Sequence, residues 1–220
     1  MVLEQVAFDI ETTGFDVDDE VTVVGFALPI GVRVFAQTGG RPIDETAATV
    51  EDRLDVVATI SMHRSEQALL AAVSEFVEER LRDDDVVVAA YNGETWNGGF
   101  DLPFLRTRFA RVDMAWPFAD TPYTDLLPVV QDLFNTTVDG EAVNDLPSVY
   151  EALCRGEAGA LDPFEDSAAA IDAYEAGRFE ALVEHNVSDI LRARELGQVV
   201  ERYCSKSDFN LKSLSPTQGR

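Results

Sequence analysis

Lysine is nearly absent from this chain: of its 220 residues only Lys206 and Lys212 carry an ammonium group, and the other basic residues are arginines. Histidine and cysteine are as scarce, with His63, His185, Cys154 and Cys204 the full complement. The two cysteines lie in stretches of helical pattern and make no metal-ligand spacing, which argues against a zinc site or a disulfide scaffold and leaves buried reduced thiols. Long hydrophobic runs are missing too. No segment reaches the roughly eighteen apolar residues of a membrane span, and the start, MVLEQV, has neither a basic region nor an apolar one. The expectation is a cytoplasmic protein with no membrane partner.

Positive charge is what the chain lacks most, since 17 Lys and Arg face 41 Asp and Glu for a formal net charge of -24. By itself that balance argues against nucleic acid, whose phosphates demand a positive face. The acids are dispersed, however, in DVDDE, EDRLD and RDDD among other places, and are not gathered into one tail. A dispersed acidic surface almost without lysine resembles adaptation to a high-salt cytoplasm, where screening over a few ångströms mutes self-repulsion. In that setting net charge says little about the ligand. The alternative is an acidic surface dedicated to a protein partner.

The chain is long enough for one α/β domain, and 46% hydrophobic residues can supply its core. Strand patterns cover Glu4 to Ile10, Val21 to Leu28 and Val32 to Phe35, the last two separated by Pro29, Ile30 and Gly31 as in a hairpin. Helical spacing from Ala68 to Leu81 follows Ser65 as N-cap. The unbroken apolar run Val86 to Tyr91 suits a central strand covered on both faces. After a glycine-rich loop, Pro103 falls in the first turn of a helix that Asp101 begins. Further helices are expected over Leu126 to Phe134, Leu146 to Cys154, Ala168 to Ala176 and Phe179 to about Tyr203. The domain is read as 1–204, and 205–220 as a polar tail.

Chemistry collects at element ends. In FDIETTG, Asp9 and Glu11 stand two apart at the end of an apolar strand, so both point to one side while Phe8 and Ile10 enter the core on the other. Two like charges side by side are costly to bury without a cation, and carboxylate oxygens are the ligands of Mg2+ or Mn2+. Asp101 follows the glycine-rich loop, and Asp189 lies in the last helix. His185 is one turn before Asp189, on the same face, where it could orient or deprotonate a water.

Together FDIETTG, NGGFDLPFL and HNVSD resemble the three motifs of the DEDD superfamily of 3′-to-5′ exonucleases, in order and spacing over nearly the whole chain. The match is nearest to the branch related to the proofreading domain of family B DNA polymerases, in which a tyrosine stands four residues before the final aspartate. Here His185 occupies that position, so the spacing is of the tyrosine branch and the residue of the histidine branch. A second departure is the inserted Glu94, Thr95, Trp96, Asn97 and two glycines between Tyr-Asn-Gly and Phe-Asp. Either Asn92 or Asn97 could be the asparagine that contacts substrate, and Asn92, directly after the strand, is favoured.

The resemblance implies a ribonuclease H-like fold, an α/β arrangement with a mixed five- or six-stranded sheet and helices on both faces. It implies two divalent cations, Mg2+ or Mn2+, held by Asp9, Glu11, Asp101 and Asp189, with Asp9 shared, Asp101 acting through water and His185 handling the attacking water. Thr12, Thr13 and Gly14 match positions that grip the terminal nucleotide, and Phe15 or Trp96 could stack on a base. Arg106, Arg108 and Arg111 could meet the phosphate backbone or pair with surface acids. The expected partner is a single-stranded DNA or RNA 3′ end. A catalytically silent binding module and a structure-specific endonuclease are the rival readings.

If salt adaptation explains the charge, folding weakens as KCl falls from molar to sub-molar levels, because unscreened carboxylates then repel. Circular dichroism during dilution measures this, and full stability in dilute buffer would favour the dedicated acidic interaction surface.

Overall fold

The computed structural model describes residues 4–43, 45–82, 85–94, 100–164 and 168–217. Its first half alternates strands with short helices: β1 (Glu4–Thr12), β2 (Val21–Leu28), β3 (Gly31–Gln37), α1 (Thr46–Arg53), β4 (Ala58–His63), α2 (Glu66–Arg80), β5 (Val86–Ala90) and α3 (Asp101–Arg111). The second half is helix-rich: β6 (Pro122–Asp125), α4 (Leu126–Leu133), β7 (Thr137–Val138), β8 (Glu141–Ala142), α5 (Leu146–Leu153), α6 (Ala168–Glu175), α7 (Phe179–Tyr203) and β9 (Lys212–Ser213). The main sheet runs β4-β3-β2-β1-β5-β6-β9, with β7 and β8 as a separate hairpin. It is an α/β fold with a mixed sheet.

Strand β1 is central, antiparallel to β2 and parallel to β5, and β2 and β3 form the expected hairpin. Its alternation divides the core. Val6, Phe8 and Ile10 pack with Leu69, Leu70 and Val73 of α2 and Leu102 and Leu105 of α3 on one face. Ala7 and Val23 pack with Leu182, Val183, Val187 and Ile190 of α7 on the other. Asp9 and Glu11 therefore face α7, the long helix that crosses β1 and β2 on that side. Among the described residues no helix is long and apolar enough to cross a membrane.

The sheet has seven strands, which corrects the expectation of five or six. Two of the additions carry weak sequence signals. β4 reads ATISMH, half polar, and becomes a strand by pairing in parallel with β3. β9 comes from the segment read as polar tail: Lys212 and Ser213 pair with β6, and Leu214 is buried in the core beside them. Short β6, only Pro122–Asp125, also escaped the sequence pattern. The β7–β8 turn is Asp139-Gly140, both at positive φ, the combination that tight hairpins require. Cys154 and Cys204 are free and half-buried rather than buried, against the cluster of Val129, Val149 and Val200.

One buried ion pair fixes the loop that follows β1. Glu66, in the first turn of α2 behind its N-cap Ser65, takes two hydrogen bonds of 2.7 Å from Arg108 Nε and Nη2 of α3. Glu66 also accepts from the Val21 backbone N–H, and Arg108 donates to the Val17 carbonyl. Arg111 pairs with Asp18 of the same loop, and Arg106 lies over the Trp116 ring. Arg108 is thus internal and removed from the basic group available to a phosphate backbone.

Arg108→Met leaves Glu66 as an uncompensated buried charge and should cost about 3–5 kcal/mol. Adding Glu66→Gln should recover most of that loss. Urea unfolding at constant high KCl measures both, and a small single-variant effect would mean that the pair contributes little.

Candidate metal and catalytic site

The carboxylates that stand far apart in sequence meet at one end of β1. Glu11 and Asp101 are buried, Asp9 and Asp189 half-buried. Ligand atoms of Glu11, His185 and Asp189 all lie within 4.8 Å of one another. Asp101 belongs to the same group electrostatically, because its charge acts on both Asp9 and Glu11.

Close packing achieves this convergence. Gly25 pairs with Asp9 across β1 and β2. A Cβ at Gly25 would stand 2.0 Å from Asn186 Oδ1, so the missing side chain is what lets α7 settle on the sheet there. Fully buried Asn186 then donates from Nδ2 to Asp9 Oδ2 at 2.9 Å. Gly93 does similar work for Asp101: a Cβ there would lie 2.6 Å from Asp101 Oδ2, and the Gly93 carbonyl accepts from Leu102 N–H. Asp125, at the end of β6, holds that turn by accepting from the backbone N–H groups of Asn92, Glu94 and Leu127.

Electrostatics at the site are dominated by burial and like charge. Desolvation, then the neighbouring Asp101 and Asp189, hold the Asp9 carboxyl well above its ordinary pKa. Glu11 is raised by burial and by Asp9, and Asp101 by burial and Asp125. Asp189 is raised by burial against the opposing pull of His185 and Arg192. For His185 burial would lower the pKa, but its hydrogen bond to Asp162 and the charge of Asp189 outweigh that and raise it.

His185 is 4% exposed, yet its Nε2 has no hydrogen-bond partner. That atom lies 3.8 Å from Glu11 Oε1 and 3.7 Å from Asp189 Oδ2, beyond hydrogen-bond reach of either. Its other nitrogen, Nδ1, is 2.8 Å from Asp162 Oδ1. Arg192 Nη1 bridges Asp162 Oδ2 at 2.6 Å and Asp189 Oδ1 at 2.7 Å. The carboxylate oxygens fit a hard divalent cation, which would offset the buried repulsion, and the unpartnered Nε2 beside them keeps a lone pair that could accept a proton.

The predicted substrate residues are arranged differently. The register of β1 against β2 shifts between Glu11 and Thr12, which still pairs with Val21, and the Thr12 hydroxyl donates to the Gly14 carbonyl. Thr13 donates to Asp19 and accepts from Glu20 N–H, while Gly14 leaves room for the Asp19 carboxylate. Phe15 is 62% exposed and meets Phe100 edge-on at 5.2 Å. Asn92 sits at φ 62° in the turn after β5, which ends one residue before Tyr91. Trp96 and Asn97, the alternatives for stacking and substrate contact, lie outside the described residues.

Sequence reasoning missed Asp125, Asp162, Asn186 and Arg192. Arg192 was discoverable, seven residues after His185 and three after Asp189 on one helical face. Asn186 adjoins His185 in the motif, whereas Asp162 has no local signal. The chain matches no protein-family profile and no curated protein.

A carboxyl whose pKa rises on folding favours the folded state below its unfolded value, and that contribution is lost as pH climbs through the folded value. Without cations, repulsion at the site therefore weakens the protein between acid and neutral pH. Asp9→Asn in chelator at pH 7 and high KCl should raise the melting midpoint by at least about 2–4 °C, the shift each kcal/mol gives a chain of this size. The gain should vanish toward pH 4, and scanning calorimetry of both proteins checks it.

Proposed function

We propose that the chain is a ribonuclease H-like, divalent-cation-dependent 3′-to-5′ exonuclease of the DEDD type, acting on single-stranded DNA or RNA ends. The observation that carries this reading is the meeting of Glu11 and Asp189 beside a buried, unpartnered His185 Nε2, with Asp9 and Asp101 close enough for their charges to act on the same group. The strand order supports it: three antiparallel strands β1–β3 flanked by β5 and β6 parallel to β1 form the expected frame, with β4 and β9 added at its edges.

Asp9, Glu11, Asp101 and Asp189 would hold two cations, Mg2+ or Mn2+. When bound, these supply positive charge at the entering and leaving oxygens of the phosphodiester. His185 Nε2 accepts the proton of the attacking water while its oxygen bonds to phosphorus. The bond from phosphorus to the O3′ of the penultimate nucleotide breaks and that oxygen takes a proton from solvent, releasing a 5′-mononucleotide and a strand shorter by one that ends in a 3′-hydroxyl, while His185 returns its proton to solvent. Asn186 restrains Asp9 by occupying one of its oxygens. The loop of Thr12, Thr13 and Gly14, internally bonded, offers a preset surface to the terminal nucleotide, and Asn92 follows β5, the parallel neighbour of β1. Exposed Phe15, backed by Phe100, is suited to stack on a base.

End-labelled DNA and RNA oligonucleotides in high KCl with Mn2+, beside a chelator control, test the reading. Mononucleotides should appear from the 3′ end with cation and not without it. Internal fragments would instead indicate an endonuclease, and binding without cleavage a silent module. His185→Ala should lower turnover roughly a hundredfold or more with metal binding nearly intact. His185→Tyr should keep part of the activity, since the spacing to Asp189 suits tyrosine. Wild-type turnover by His185→Ala would remove His185 from the chemistry.

A further inference from the structure

We propose that Asp162 is a positioning residue that fixes the imidazole of His185 in the tautomer bearing hydrogen on Nδ1, with Arg192 holding Asp162 in place. The inference deepens the exonuclease reading, and rests on it only for what the oriented nitrogen does.

A carboxylate can only accept, so the 2.8 Å contact to Asp162 Oδ1 requires that Nδ1 carry the hydrogen. The lone pair of neutral His185 then belongs to Nε2, the atom that faces Glu11 and Asp189 with no partner of its own. The opposite tautomer would set a lone pair against the Asp162 carboxylate and leave a buried N–H unpaired. Ring orientation is fixed from other sides as well. Phe164 packs on the imidazole at 5.2 Å between ring centres.

Asp162 is itself fully engaged. Its Oδ1 also accepts from the Phe164 N–H at 3.1 Å, and its Oδ2 accepts from Arg192 Nη1. Because Arg192 binds Asp189 with the same nitrogen, one guanidinium ties the histidine's support to a carboxylate of the candidate metal site. The loop carrying Asp162 is anchored further back, where Tyr150 donates to Glu195 of α7 and accepts from Ala158 N–H. Four residues of α7, His185, Asp189, Arg192 and Glu195, take part in this set.

Arg192 also determines how an amide would behave at position 162. In Asp162→Asn the amide oxygen is claimed by the charge-assisted bond from Arg192, which outcompetes the neutral Phe164 N–H. The amide NH2 then faces His185 Nδ1, which must accept, so the hydrogen moves to Nε2. The variant keeps the shape of the site and inverts the tautomer, the effect known for the equivalent substitution behind a catalytic histidine in serine proteases.

The chain has only two histidines, so long-range proton–nitrogen NMR spectra of the full-length, Mg2+-loaded protein at alkaline pH resolve both rings, with His63→Gln assigning the signals. Wild type should show His185 with a protonated Nδ1 and an unprotonated Nε2, and Asp162→Asn should exchange them. In the oligonucleotide assay Asp162→Asn should lower kcat roughly tenfold to a hundredfold, with KM within about twofold. Asp162→Ala, which removes the acceptor altogether, carries the same readings should the amide variant fold poorly. Hydrogen on Nε2 in the wild type would overturn the proposal, as would both variants keeping wild-type ring signals or kcat. If the ring signals behave as expected but the wild type cleaves no strand, the exonuclease reading fails and the positioning assignment stands.

Discussion

Most of this structure follows from one electrostatic constraint: four carboxylates, two buried and two half-buried, are brought close enough for their charges to act on one another. Bringing like charges into a poorly solvated place costs free energy in the folded state that apolar burial elsewhere must exceed. The core is built accordingly. Both faces of β1 are covered, one by α2 and α3 and the other by α7, and the site lies where the α7 face reaches the strand's end. Positive groups are admitted sparingly. Arg192 touches Asp189, the imidazole of His185 adjoins Glu11 and Asp189, and Asp9 accepts a hydrogen bond from the neutral amide of Asn186.

The same constraint explains which parts of the site were legible in the sequence. Asp9 and Glu11 announce themselves through strand alternation, and His185 and Asp189 through helical spacing, because those periods fix side-chain direction locally. Their meeting depends on Gly25 opposite Asp9, and nothing within β2 marks that glycine as a space for Asn186. Asp162 is less legible still. It lies in an irregular loop 23 residues before His185, and only the tertiary fold makes them neighbours. Asp125 was hidden for another reason: its four-residue strand is too short to show a period, although the residue then serves as N-cap of the expected helix α4.

At the level of the fold, the central strands and long helices were readable because burial on one or both faces stamps a period on them. The edges were not. β4 alternates Thr, Ser and His with apolar residues, and β9 is two polar residues whose strand geometry is imposed by pairing with β6. Arg108 illustrates the opposite error, since a basic residue on a helix reads as surface until Glu66 appears beside it 42 positions earlier in the chain. Charge in a sequence signals cost, and only the partner decides whether the residue is solvated or internal.

The net charge of -24 also bears on how a polyanion could approach the proposed site. In molar salt the screening length is about 3 Å, so the dispersed surface acids exert little force on a strand beyond direct contact. By the same token, long-range steering is lost, and affinity must come from short-range contacts. The region near the site offers such contacts: an internally bonded loop from Thr12 to Glu20, and an exposed phenyl ring supported by Phe100. Ordinary nucleic-acid binding through many phosphate contacts weakens steeply with salt because each contact releases counterions. Arg108 is internal and Arg111 is paired to Asp18, so neither offers a free guanidinium to a strand on this protein. Its binding would depend chiefly on stacking and on cations held by the carboxylates, and would therefore lose less to salt than binding through a basic groove.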